Sequence, residues 1–178
     1  MALPKLQTSE YTLTLPSTQE EIKFRPFLVK EQKILMIAQE SNDEQEITDA
    51  MANLIHACTF GALDVNNVPM FDVEYVFLQI RSKSSGAVVT LSVICPDDEE
   101  TTVEVKINLD EIQVQRTVEH SQEIEITKDI KLNLRYPRLK DLKGLNDNFG
   151  EFEQSMIMVY ECIDSVVDGE EIITRIDM

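Results

Sequence analysis

The spacing of apolar residues changes near residue 87, and no other feature constrains the fold as strongly. Upstream, Ile47, Ala50, Met51, Leu54, Ile55 and Cys58 recur three and four residues apart, as do Val73, Val76, Phe77 and Ile80. Such stripes mark amphipathic helices. Downstream, Val89, Leu91, Val93 and Cys95 alternate with Thr90, Ser92 and Ile94. Val103, Val105, Ile107 and Leu109 alternate in the same way with Glu104, Lys106 and Asn108. Two alternating runs around the polar turn Pro96-Asp97-Asp98-Glu99-Glu100 predict a β-hairpin.

The remaining segments fill in around this switch. Tyr11–Leu15 and Glu21–Arg25 alternate around Pro16-Ser17-Thr18-Gln19, which predicts an N-terminal hairpin that must pack on something. Arg25-Pro26-Phe27 breaks the strand, and Val29 to Glu40 reads as helix. Ser41-Asn42-Asp43-Glu44 has the form of a capping box opening the next helix, which ends near Gly61. Asp72 is the expected N-cap of the third helix, and Arg81 to Gly86 its C-terminal end. Ile124 and Ile126, then Lys128-Asp129, then Ile130, Leu132 and Leu134 predict another hairpin, closed by Tyr136-Pro137. The last forty residues read as helical, with Phe152, Met156, Tyr160, Ile163 and Val167 on one face. The predicted class is α+β: an N-terminal hairpin and three helices, then antiparallel β-hairpins, then C-terminal helices. With five Gly, six Pro and no linker, the chain reads as one domain, 1–178, with lobes 1–86 and 87–178. No internal repeat is legible.

Charge narrows the function. The 178 residues carry 33 acids against 16 bases, a net charge of −17. Residues 1–90 hold −5 of it and residues 91–178 hold −12. That balance disfavours nucleic acid and anionic membranes, both of which attract clustered basic residues. No apolar run reaches the roughly 20 residues of a bilayer span. The opening Met1-Ala2-Leu3-Pro4-Lys5 lacks the signal-peptide pattern. Three dispersed cysteines suit a reducing cytoplasm better than a disulfide framework.

Nothing in the sequence assembles a catalytic centre. His56 lies inside a helical pattern and His120 in a polar linker, neither beside a recognisable triad partner. Cys95-Pro96-Asp97-Asp98 has a knuckle-like position without a second cysteine, and Cys95 reads as a strand-end core residue. The run Asp97 to Glu100 lacks calcium-loop spacing and reads as a solvated turn. Five scattered Gly build no phosphate loop. The expectation is a non-enzyme without cofactor or metal. The apolar helical stripes are assigned to the core, with Met51, Met70, Met156 and Met158 as adaptable fillers.

Three segments carry a resemblance. They are Leu3-Pro4-Lys5-Leu6 with Tyr11-x-Leu13-x-Leu15-Pro16-Ser17-Thr18, then Ile22 to Lys33, then Phe71 to Ser84. Together they resemble the baseplate hub subunit and hub assembly proteins of T-even-like contractile-tailed bacteriophages, over roughly residues 1 to 110. Some relatives carry Cys-Pro-x-Cys at the hairpin tip, and this chain departs from them at Asp98. The resemblance implies a non-enzymatic part in building the baseplate hub, as assembly chaperone or hub subunit. It implies other phage tail or baseplate hub proteins as partners, with the tape measure protein among them. It also implies residence in the host cytoplasm during assembly or in the virion tail baseplate. The implied partner-binding residues are Lys23, Arg25, Phe27, Lys30 and Lys33, with Phe71, Tyr75, Arg81 and Lys83. The alternatives are a tape-measure chaperone absent from the finished virion and a small enzyme with an atypical site at His56 or the acidic turn.

Overall fold

The computed structural model describes residues 8–98, 100–115, 117, 120–142 and 150–174. Leu3-Pro4-Lys5-Leu6 and Glu99 of the acidic turn lie outside the described residues. The architecture is mixed α+β, with helices and antiparallel sheets. It divides into two units, the described residues of Met1–Val65 with Phe71–Val114, and of Asn66–Met70 with Gln115–Met178.

In the first unit, β1 (Tyr11–Thr14) and β2 (Glu21–Phe24) form the N-terminal hairpin, with Leu13 opposite Ile22. One face buries Leu13, Leu15, Ile22 and Phe24. The third helix, α3 (Met70–Ser85), is tied to this hairpin region at both ends. Near its start, Asp72 accepts the Ser17 backbone N–H at 3.0 Å and also the Ser17 hydroxyl. Near its end, Ser84 Oγ accepts the Phe27 N–H at 2.9 Å. Between the ties, Val73, Val76 and Ile80 are fully buried. Asp72 is therefore not the expected N-cap. The helix starts two residues earlier, and its carboxylate turns to donors 55 positions away in sequence, which no local pattern encodes.

The capping box also resolves differently. Ser41 is the last residue of α1 (Val29–Ser41), where its hydroxyl donates to the Ala38 carbonyl at 2.8 Å. Asn42 turns the chain in the left-handed region at φ 54, as a short polar side chain tolerates. Asp43 then caps α2 (Glu44–Cys58), accepting the N–H groups of Gln45 and Glu46 at 2.8 and 3.1 Å. The α2 stripe is the expected one, with Ala50, Leu54, Ile55 and Cys58 buried. The predicted hairpin of the second half is β3 (Val88–Ile94) with β4 (Thr102–Asn108), paired Leu91 to Val105 and Val93 to Val103.

In the second unit, β5 (Glu123–Glu125), β6 (Ile130–Leu134), β7 (Ile163–Asp168) and β8 (Glu171–Thr174) form an antiparallel sheet in that order. A short α4 (Leu139–Leu142) and α5 (Glu151–Glu161) lie between β6 and β7 in sequence. The C-terminal helices expected from the sequence thus reduce to α4 and α5, and the described residues beyond them form a hairpin. Ile163, Val166, Val167, Ile172 and Ile173 are β-branched and fit a pleated surface. Gly169, at φ 61, opens a two-residue loop of the kind that joins twisted strands. Ile163 and Val167 sit four apart, so the short run matched both periods.

The structure also shows a repeat that the sequence does not reveal. Hairpin, arginine and two helices occur twice, as β1-β2-Arg25-α1-α2 and as β5-β6-Arg135-α4-α5.

Candidate functional site

Each copy of the repeat is fastened by the same arginine–carboxylate node. In the first, Arg25 grips Glu31 through both terminal guanidinium nitrogens, at 2.7 and 3.0 Å. Glu31 also accepts the Leu28 N–H at 2.6 Å, so one carboxylate satisfies the start of α1 and the arginine together. The Arg25 backbone N–H donates to the Cys58 carbonyl at 2.9 Å, joining the end of β2 to the end of α2. In the second, Arg135 grips Asp141 at 2.6 and 2.9 Å, and Asp141 accepts the Arg138 N–H at 2.8 Å. The Arg135 N–H donates to the Cys162 carbonyl at 2.8 Å. In both nodes the guanidinium donates to the carbonyl of the following residue, Pro26 or Tyr136. The six-residue spacing of arginine and acid, with lysine just before the acid and a strand before the arginine, is the signal that sequence reading missed.

The nodes make stability depend on acid. The Arg25 hydrogen bond, opposed by burial and helped by the Leu28 N–H, holds the Glu31 carboxyl below its ordinary 4.5. Burial pushes the Asp141 carboxyl up, but Arg135 and the Arg138 N–H outweigh it and leave it below 3.8. A carboxylate with a lowered folded-state pKa contributes stability that is complete above its unfolded value and lost as pH falls through the folded one. The urea midpoint is therefore expected to stay level with respect to these groups down to about pH 5 and to drop below about pH 4. In Glu31→Gln the acid-induced drop is expected to be shallower, and an unchanged drop would remove Glu31 from this account.

The residues implied in partner binding all lie in the first unit. Lys23, Lys30 and Lys33 are exposed on β2 and α1. Arg25 faces inward on Glu31, and Lys83 pairs with Asp110 at 2.9 Å while lying 6.0 Å from the Tyr11 ring centre. The Phe27–Ser84 bond brings Phe27 to the Arg81–Lys83 end of α3. Phe71 and Tyr75 belong to the other end of that helix, where Asp72 holds Ser17. Ten residues of helix, about 15 Å, separate Phe71 from Arg81. The surface is split rather than continuous.

His120 hydrogen-bonds the Tyr136 hydroxyl at 2.9 Å and stacks on its ring, and exposed His56 lies beside Gly61. The Cys58 thiol is pushed up to about 11, chiefly by burial, and so stays protonated and unreactive at neutral pH. Asp98 closes the acidic turn by accepting from Thr101 and Glu100. Among the described residues, no cluster of three His, Cys, Asp or Glu is placed to hold a metal ion, and no helix is long and apolar enough to cross a membrane.

Apolar surface is the feature left over. On α1, Val29, Ile34, Met36 and Ile37 are exposed. Leu91, Val93, Val103 and Val105 share one face of the β3–β4 ribbon and are exposed. On α5, Phe152, Met156, Val159 and Tyr160 are exposed, and no residue of that helix is buried. Exposed apolar patches rimmed by polar residues are a mark of protein–protein contact.

The family model described as T4 bacteriophage base plate protein matches residues 8–178. Neither the curated proteins nor the solved structures gave a match. Since the family match runs from residue 8 to the last residue, the chain belongs to the T4 bacteriophage base plate protein family.

Proposed function

We propose that the protein acts without catalysis in assembling the central hub of the baseplate, as an assembly chaperone or as a hub subunit. The family match over residues 8–178 carries this reading, because it ties nearly the whole chain to the baseplate. The exposed apolar faces of α1, α5 and the β3–β4 ribbon support it, since each suits contact with other tail proteins. On the first unit, the recognition surface has two parts, Lys23, Phe27, Lys30 and Lys33 with Arg81 from the end of α3, and Phe71 with Tyr75 from its start. Arg25 and Lys83 hold that surface in shape through Glu31 and Asp110.

Deleting the gene is expected to abolish infectious tails, with intermediates stalled before the tube forms. Normal virions from the deletion would end this reading. Mass spectrometry of purified virions separates the two roles: a hub subunit is found in the particle, a chaperone is not. Co-purification with the tape measure protein and absence from virions would instead make it that protein's chaperone.

A further inference from the structure

Of the exposed apolar faces, the outer face of α5 is the one whose occupant can be inferred. Phe152, Met156, Val159 and Tyr160 stand at i, i+4, i+7 and i+8, so they form one stripe along the helix. They are 76, 54, 49 and 53% exposed. With the aromatic rings included, the stripe presents on the order of 400 Å² of side-chain surface.

The repeat shows how unusual this is. The Arg25 and Arg135 backbone bonds make Cys58 and Cys162 equivalent, and by that alignment Val159 stands where Ile55 stands. Ile55 is fully buried. In the first unit, α2 is followed by a third helix with its own buried stripe of Val73, Val76 and Ile80. In the second unit, the chain leaves α5 and enters the sheet as β7, so no helix follows it among the described residues.

Charge identifies the occupant. On the helical wheel the stripe is flanked by Glu153 on one side and Glu151 on the other, and α5 carries Glu161 besides but no Lys or Arg. Two copies packed α5 to α5 in antiparallel would set Glu151 and Glu153 against Glu161 and Asp164, acid on acid at both ends. A helix with an apolar stripe and flanking Lys or Arg meets both the surface and its charge. We propose that α5 is a docking face for a basic amphipathic helix of another protein, one that covers the stripe left exposed among the described residues of the second unit. This holds whether the chain is a hub subunit or a chaperone, and it uses none of the residues of the surface proposed on the first unit.

The probe is a synthetic amphipathic helix of about 18 residues with a leucine stripe and lysine elsewhere, titrated into the full chain. A control peptide carries the same stripe with glutamate in place of lysine. Hydrogen exchange of the lysine complex is expected to slow at residues 151–161, and the Glu peptide is expected to bind at least about tenfold more weakly. The double variant Phe152→Asp with Met156→Asp is expected to weaken lysine-peptide binding about tenfold or more, while Ile34→Asp with Ile37→Asp on α1 leaves it unchanged. Both pairs are exposed, and Tyr160→Ser supplies a milder test if the double variant perturbs the fold. Equal binding of both peptides, protection elsewhere than α5, or indifference to the α5 variants would overturn the proposal. So would a dimer in sedimentation that Met156→Asp dissociates, which would make a second copy the occupant.

Discussion

Asp141→Asn is expected to cost about 3–5 kcal/mol of folding stability, because it strands a charged guanidinium without its counter-ion. The Arg135 side chain is 15% exposed and that of Asp141 only 3%, so water cannot replace the lost carboxylate. The acceptors that remain to Arg135, the Tyr136 and Glu161 carbonyls, are neutral. Asn keeps the shape but has one acceptor oxygen where the carboxylate has two, and the Arg138 N–H competes for it. Urea denaturation reads the loss. The double variant Arg135→Met with Asp141→Leu is expected to recover much of it, since removing both charges also removes the desolvation penalty. A double variant less stable than Asp141→Asn would show that the pair is worth more than the burial it costs. Glu31→Gln is the matching change at Arg25.

The second large effect is expected at Phe24→Ala, at about 3–5 kcal/mol. Phe24 is 1% exposed on the inner face of the N-terminal hairpin, with Leu13, Leu15 and Ile22. Its ring centre lies 5.6 Å from that of Tyr11, a tilted contact that the truncation also removes. A hairpin of four-residue strands has little of its own to resist with, so the cavity is felt through its attachment to α3. Phe152→Ala, at the exposed stripe of α5, is expected to change stability by no more than about 0.5 kcal/mol. A loss below about 1 kcal/mol at Phe24 would mean that the hairpin is not part of the cooperative core.

Long periodic segments were the legible part of the fold. The stripes of α2 and α3, and the alternation of β3 and β4, placed those elements because each repeats its period over many residues. Ile163 to Thr174 misled for the opposite reason: each apolar run is too short to separate a period of 3.6 from one of two. The implied recognition residues could be named from the resemblance. Their division between the two ends of α3, and the inward duty of Arg25, depended on Ser17, Glu31 and Ser84.

The sequence by itself determined the α+β class, the site of the switch in period and the concentration of acid in the second half. It also determined that α2 and α5 are both amphipathic, since that follows from the order of side chains on one helix. Only the tertiary structure decided that Ile55 is covered and Val159 is not. Periodicity is written in neighbouring residues, whereas burial depends on what the rest of the chain brings to that face. For the same reason only the structure could pair Asp72 with Ser17 and reveal one arginine–carboxylate node built twice. A carboxylate selects its donor by distance in space, and spacing along the chain does not record it.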